Sequence, residues 1–154
     1  MKKIISGFFM SLLFVSITGQ AGIFTHFTHE DHCANLSGIW KGYGLISAKV
    51  GRFPVKCEYT GTAIVTETGD HTYNTSVDLA LKSGDNVCPK DESYIIPGTC
   101  NGSTGSIKLK SNDVDLMGKV ENKGTKALLK GTVTISVRNQ TLTANVDEMV
   151  LLKQ

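Results

Sequence analysis

The chain has 154 residues, 16 of them Lys or Arg and 14 Asp or Glu, and 40% of its residues are hydrophobic. That is the length of one domain with a core of its own. The near balance of charge, with no basic run, argues against a nucleic-acid or anionic-membrane partner.

The first element in chain order is an export signal. Met1-Lys2-Lys3 is a short basic start, Ile4 to Ile17 is apolar and uncharged, and Thr18-Gly19-Gln20-Ala21 supplies small residues. These are the three parts of a secretory signal, with cleavage expected after Ala21. The apolar run is shorter than the roughly 20 residues of a spanning helix, and Ser6, Gly7, Ser11 and Ser16 dilute it. A lipid anchor would need a cysteine directly after the small residues, whereas Cys33 follows Glu30-Asp31-His32. Taking residues 1–21, with Lys2 and Lys3, from 154 leaves 133 residues carrying 14 basic and 14 acidic side chains. The expected product is secreted or periplasmic and does not span the membrane after cleavage.

Residues 22–35 form a lead-in to the domain. His26, His29 and His32 lie three apart with Glu30 and Asp31 between them. Neutral imidazoles at this density suit Zn²⁺, Cu²⁺ or Ni²⁺, which makes them a weak metal candidate. The alternative is a solvated segment near a chain end. No cofactor is expected.

From residue 36 to 154 the pattern is strand, turn, strand. Gly38 to Ala48 places Trp40, Gly42, Gly44, Ile46 and Ala48 on one face, and Lys56 to Thr68 does so with Cys57, Tyr59, Ala63 and Val65. In Tyr73 to Lys82, Tyr73, Thr75, Val77, Leu79 and Leu81 alternate with polar residues. Ser83 to Cys100 reads as less regular, with a short strand around Tyr94-Ile95-Ile96. Ser106 to Lys110, Val114 to Val120, Ala127 to Val137 and Thr141 to Leu152 complete the set. Period-two alternation marks half-buried strands, and the Asn-, Asp- and Gly-rich segments between them suit tight hairpins. The resulting fold class is all-β. The expected architecture is a single antiparallel up-and-down barrel of about eight strands, bent at in-strand glycines such as Gly42, Gly61, Gly118 and Gly131, with a β-sandwich as the alternative.

Leu36-Ser37-Gly38-Ile39-Trp40-Lys41-Gly42 resembles the Gly-x-Trp opening of the first strand in lipocalins and other calycin-like barrels. The resemblance implies that the chain enters the closed end of an eight-stranded barrel here, with Trp40 closing that end. Lipocalins lay a basic side chain over this tryptophan from the last strand, and Lys153 is the residue at the matching end. The lipocalin second motif and C-terminal helix are absent, so the resemblance is to the wider calycin-like class. The same opening is similar to that of small haem-binding barrels of the nitrobindin kind, which use a late histidine as iron ligand. The last histidine here is His71, which argues against haem.

The even count of four cysteines in an exported chain implies two disulfides, and no Cys-x-x-Cys pair suggests zinc. In an up-and-down order Cys57 and Cys88 fall at one barrel end, Cys33 and Cys100 at the other. That favours Cys57–Cys88 with Cys33–Cys100, because bridged Cα atoms lie within about 7 Å. The rival is Cys88–Cys100 with Cys33–Cys57.

No catalytic constellation emerges. His71 is the sole histidine after residue 36 and sits in a turn, and no Gly-x-Ser-x-Gly elbow is present. Glu58 and Glu67 fall on opposite strand faces, so no carboxylate pair is assembled from spacing. The expectation is an exported non-enzymatic binding protein for a small apolar ligand, contacted in the barrel mouth by Tyr43, Phe53, Tyr59 and Tyr94. The alternative is a secreted protein-interaction module or inhibitor acting through surface loops, either Pro89 to Thr99 or Ala48 to Val55.

Overall fold

The computed structural model describes residues 30–137 and 140–154. The expected signal peptide, most of the lead-in with His26 and His29, and Arg138 and Asn139 lie outside this range. Eight strands follow in order: β1 (Gly38–Val50), β2 (Phe53–Gly69), β3 (Thr72–Gly84), β4 (Asp91–Asn101), β5 (Ser106–Lys110), β6 (Val114–Glu121), β7 (Lys126–Val137) and β8 (Gln140–Lys153). Each pairs antiparallel with its chain neighbour, and β1 pairs with β8, so the sheet closes into a barrel. The sandwich alternative is thereby set aside. Closure pairs both sides of the sheet and removes the free edges that invite aggregation.

Alternation does the sorting. Trp40, Ile46, Val55, Cys57, Tyr59, Ala63, Tyr73, Val77, Ile96, Leu116, Leu129 and Val146 are buried within one core, while the residues between them face solvent. Closure also requires strands to approach closely. A Cβ on Gly42 would overlap the carbonyl oxygen of Val150 on β8 and sit 2.8 Å from its carbonyl carbon. Only glycine fits that part of the β1–β8 seam, next to the register shift between Leu45 and Ile46.

Two stretches differ from the sequence reading. The segment Pro89 to Thr99, expected as a largely irregular recognition loop, is mostly β4, paired with β3 from Thr72↔Thr99 to Ala80↔Asp91. Pro97 stands inside this strand. It lies one residue beyond Gly98↔Leu109, where pairing with the short β5 stops, so its missing N–H leaves no ladder bond unmade there. The second expected loop, Ala48 to Val55, is a tight hairpin. The strands pair as far as Val50↔Phe53 around the turn Gly51-Arg52, with Gly51 at φ 64°.

Candidate functional site

The lower end of the barrel, where β1 begins, is sealed by the residues around Trp40. Trp40 is 2% exposed, and its indole N–H donates to the Leu36 carbonyl at 2.8 Å. Lys153 on β8 faces Trp40 in register, and its Nζ donates to the Asn35 carbonyl. Tyr73 donates its hydroxyl to the Cys33 carbonyl at 3.0 Å. The bridge Cys33–Cys100, with Cα atoms 6.0 Å apart, ties the lead-in to β4. At the upper end Cys57–Cys88, Cα atoms 5.9 Å apart, ties β2 to the loop before β4. These are the pairs that sorting by barrel end favours.

A polar clasp lies outside the lower seal. His71, at φ 53° in the β2–β3 turn, places Nε2 3.0 Å from Asp31 Oδ2, and its carbonyl accepts the Cys100 N–H at 3.0 Å. Asp31 Oδ1 accepts the Cys33 N–H at 2.9 Å. The hydrogen bond to Asp31 raises the His71 pKa above its ordinary value, and the same bond, with the Cys33 N–H, lowers that of Asp31. Chemically this is an ion pair and no triad, because the second ring nitrogen faces Asp70 Oδ1 at 3.7 Å, a second carboxylate instead of a nucleophile. All four cysteines are bridged. Among the described residues no group of three His, Cys, Asp or Glu could hold a metal ion. His32 is within them, while His26 and His29 are outside.

The four residues expected to contact a ligand do not converge. Tyr43 is 46% exposed on the outer wall, as its odd position opposite Trp40 and Gly42 on an alternating strand dictates. Phe53 is 77% exposed at the tip of the β1–β2 hairpin. Tyr59 does face inward, fully buried, but its hydroxyl donates to the Pro89 carbonyl at 2.9 Å. Burial and the nearby Glu92 push its pKa up to about 12. Tyr94 is half-buried with its hydroxyl 3.3 Å from Glu92 Oε2, and burial, then Glu92, raises its pKa as well.

The interior itself is filled. Two apolar cavities of about 40 Å³ and 30 Å³ lie one above the other, with Thr75, Leu109, Leu129 and Leu151 common to both walls. Trp40 lines the lower and Tyr94 the upper. Sites for small organic ligands run to about 300–1,000 Å³. The larger hollows are shallow and external. One of about 500 Å³ crosses β1 to β4 over Lys41, Thr62, Asp78 and Ser93, with Ser93 Oγ donating to Asp78 Oδ1 at 2.7 Å.

Sequence reasoning missed Asp31 as the partner of His71 and Glu92 as the partner of Tyr94. The first was within reach. Once Cys33 is joined to Cys100, and Cys100 lies at the same end as the 70–71 turn, Asp31 has few other places to be.

Comparison with known proteins adds little. No family model matches the chain, and no curated protein matches it. Among solved structures it is similar to the crystal structure of Rv2717c from M. tuberculosis, at 16% identity over 77% of this chain and 92% of that one, with a TM-score of 0.41. A likeness at that level carries no functional argument. Among the described residues no helix is long and apolar enough to cross a membrane.

Proposed function

We propose that this protein is an exported, non-enzymatic interaction module, a calycin-like barrel that meets its partner with its outer surface. One observation carries the reading: among the described residues, two apolar cavities inside the barrel measure about 40 Å³ and 30 Å³, an order of magnitude below a ligand pocket. A close-packed barrel leaves recognition to its walls and hairpin ends. Export is supported by the sequence of residues 1–21 and by the two bridges, which persist in oxidising compartments. The Gly38-Ile39-Trp40 opening, with Trp40 at the sealed end and Lys153 across from it, supports the calycin-like assignment.

The test follows Trp40 emission while the exported, oxidised protein is titrated with anilinonaphthalene sulfonate and with a medium-chain fatty acid. We expect no saturable change. A saturable one-to-one response would mean that the barrel opens for an enclosed ligand, and the surface reading would fall. Fractionation of expressing cells, with the processed protein in periplasm or medium, checks export.

A further inference from the structure

The hairpin joining β1 and β2 rises past its neighbours. Pairing of β1 with β8 stops at Ser47↔Asn145, and pairing of β2 with β3 starts at Cys57↔Gly84. Between those limits Ala48–Val50 and Phe53–Val55 pair only with each other, forming a two-stranded finger. Its base is held rigidly. Cys57 is bridged to Cys88, the Lys56 N–H donates to Asp85 Oδ2 at 2.9 Å, and the Asp85 N–H donates to the Lys56 carbonyl at 3.3 Å. Ala48, Val50 and Val55 pack on the core from the inner face of the finger. Phe53 does not, and at 77% it is the most exposed large apolar side chain among the described residues.

Charge on the finger has one sign. Lys49, Arg52 and Lys56 are exposed, no carboxylate occurs from Leu45 to Cys57, and none of the three cations is in an ion pair among the described residues. Below the finger the charges are mixed: Glu58 and Glu148 flank Leu45 on β1, Asp85 accepts the Lys56 N–H, and Lys82, Lys90 and Lys110 stand among Asp91, Glu92 and Asp113. Overall neutrality therefore hides one short stretch, the finger, whose charges are all positive.

Resting on the surface reading above, we propose that this finger docks the protein on an anionic lipid bilayer. The order along the finger favours a bilayer over a nucleic acid or a protein pocket. Phe53 stands at the last strand pair, Val50↔Phe53, and Lys49 one pair behind it. Lys56, facing Ser47, is three pairs behind, about 10 Å down the strand at about 3.3 Å per residue. An apolar tip followed by cations matches the sequence of acyl boundary and headgroup phosphates in an interface.

The probe is a vesicle of phosphatidylglycerol and phosphatidylcholine, with pure phosphatidylcholine vesicles as comparison, in low salt. The exported, oxidised protein is expected to co-sediment with the anionic vesicles only. Each of Lys49→Gln, Arg52→Gln and Lys56→Gln lowers the partition coefficient about fivefold, and the triple variant about a hundredfold. Phe53→Trp, read against the buried Trp40, gains a blue-shifted emission on anionic vesicles. Unchanged thermal unfolding shows that these exposed substitutions leave the fold intact. No binding to anionic vesicles, or binding that the finger variants do not change, overturns the proposal. If vesicle binding fails while the barrel still refuses apolar probes, the surface reading stands and the lipid partner alone is lost. Saturable uptake of an apolar probe overturns the reading beneath both.

Discussion

Replacing Gly42 with alanine tests whether the barrel closes as described. A Cβ at this position would lie 2.8 Å from the Val150 carbonyl carbon and 3.0 Å from the Leu151 Cα, besides overlapping the Val150 carbonyl oxygen. Those atoms are backbone of the β1–β8 seam, so no side chain can rotate aside and the strands must part. Overpacking that a core absorbs by small shifts costs about 1–3 kcal/mol. Because the obstacle here is main chain, we expect the upper end, about 3 kcal/mol, or a Tm lower by roughly 10 °C for a domain this size. Gly44, two residues along on the same face, supplies the contrast. Its Cβ would meet nothing nearer than Met149 Cε at 3.6 Å, an ordinary contact. Gly44→Ala should be neutral or stabilise by about 0.4–1 kcal/mol, because alanine narrows the unfolded ensemble. Urea unfolding of the two oxidised variants at 25 °C measures the difference. If both fall within about 1 kcal/mol of the parent, strands β1 and β8 do not approach at Gly42 and the seam is elsewhere.

Other consequences can be measured on the same protein. Removing Cys33–Cys100 by double serine substitution opens a link between residues 67 apart, against 31 for Cys57–Cys88. The loop-entropy relation gives costs of about 4.4 and 3.7 kcal/mol, so denaturant midpoints should rank the first bridge as the larger loss. Tyr73→Phe deletes the hydroxyl donated to the Cys33 carbonyl and should lower stability by about 1–2 kcal/mol in the same assay. The Asp31–His71 pair makes stability depend on pH in a defined window. His71, with its pKa raised, contributes fully below about 6.5 and loses that contribution as pH climbs through its folded value. Asp31, with its pKa lowered, contributes above about 3.8 and loses it as pH falls. His71→Asn keeps a residue tolerant of positive φ, so its deficit in Tm should be greatest between those limits and shrink as pH rises through the raised His71 pKa. A deficit that is constant from pH 4 to 9 would refute the ion pair.

Side-chain alternation made most of the barrel readable. Trp40, Gly42, Gly44 and Ile46, or Tyr73, Thr75 and Val77, reveal both strand and inner face because the period of two is unbroken. Reading failed where a local signal competed with tertiary pairing. Pro89 to Thr99 read as an irregular stretch, yet β3 supplies a full template from Thr72 to Ala80, and Pro97 falls where the other side goes unpaired. Ala48 to Val55 read as a second recognition loop, but only Gly51 and Arg52 turn the chain. The ligand residues were chosen by side-chain type and barrel end, and alternation was set aside for Tyr43. Applied consistently, it would have put Tyr43 outside at once. How full the interior is depends on summed side-chain volumes in three dimensions, and no one-dimensional pattern reports it.

That filling bears on where function can reside. Tyr59 on β2, Met149 on β8 and Leu129 on β7 point inward from one arc of the ring, and Val77 and Ile96 face them from β3 and β4, beside two small cavities. Opening a pocket of a few hundred Å³ would mean expelling several such side chains, each burial worth about 1.5–3 kcal/mol, against the two bridges that pin both ends. Set against an ordinary domain stability of about 5–15 kcal/mol, that is a large fraction of the whole. Recognition by a partner that touches only the outside requires no such change. The rigid, disulfide-tied base of the β1–β2 hairpin then has a purpose beyond stability: it presents Phe53 and its flanking cations in one orientation, so little conformational entropy is lost when they meet a surface.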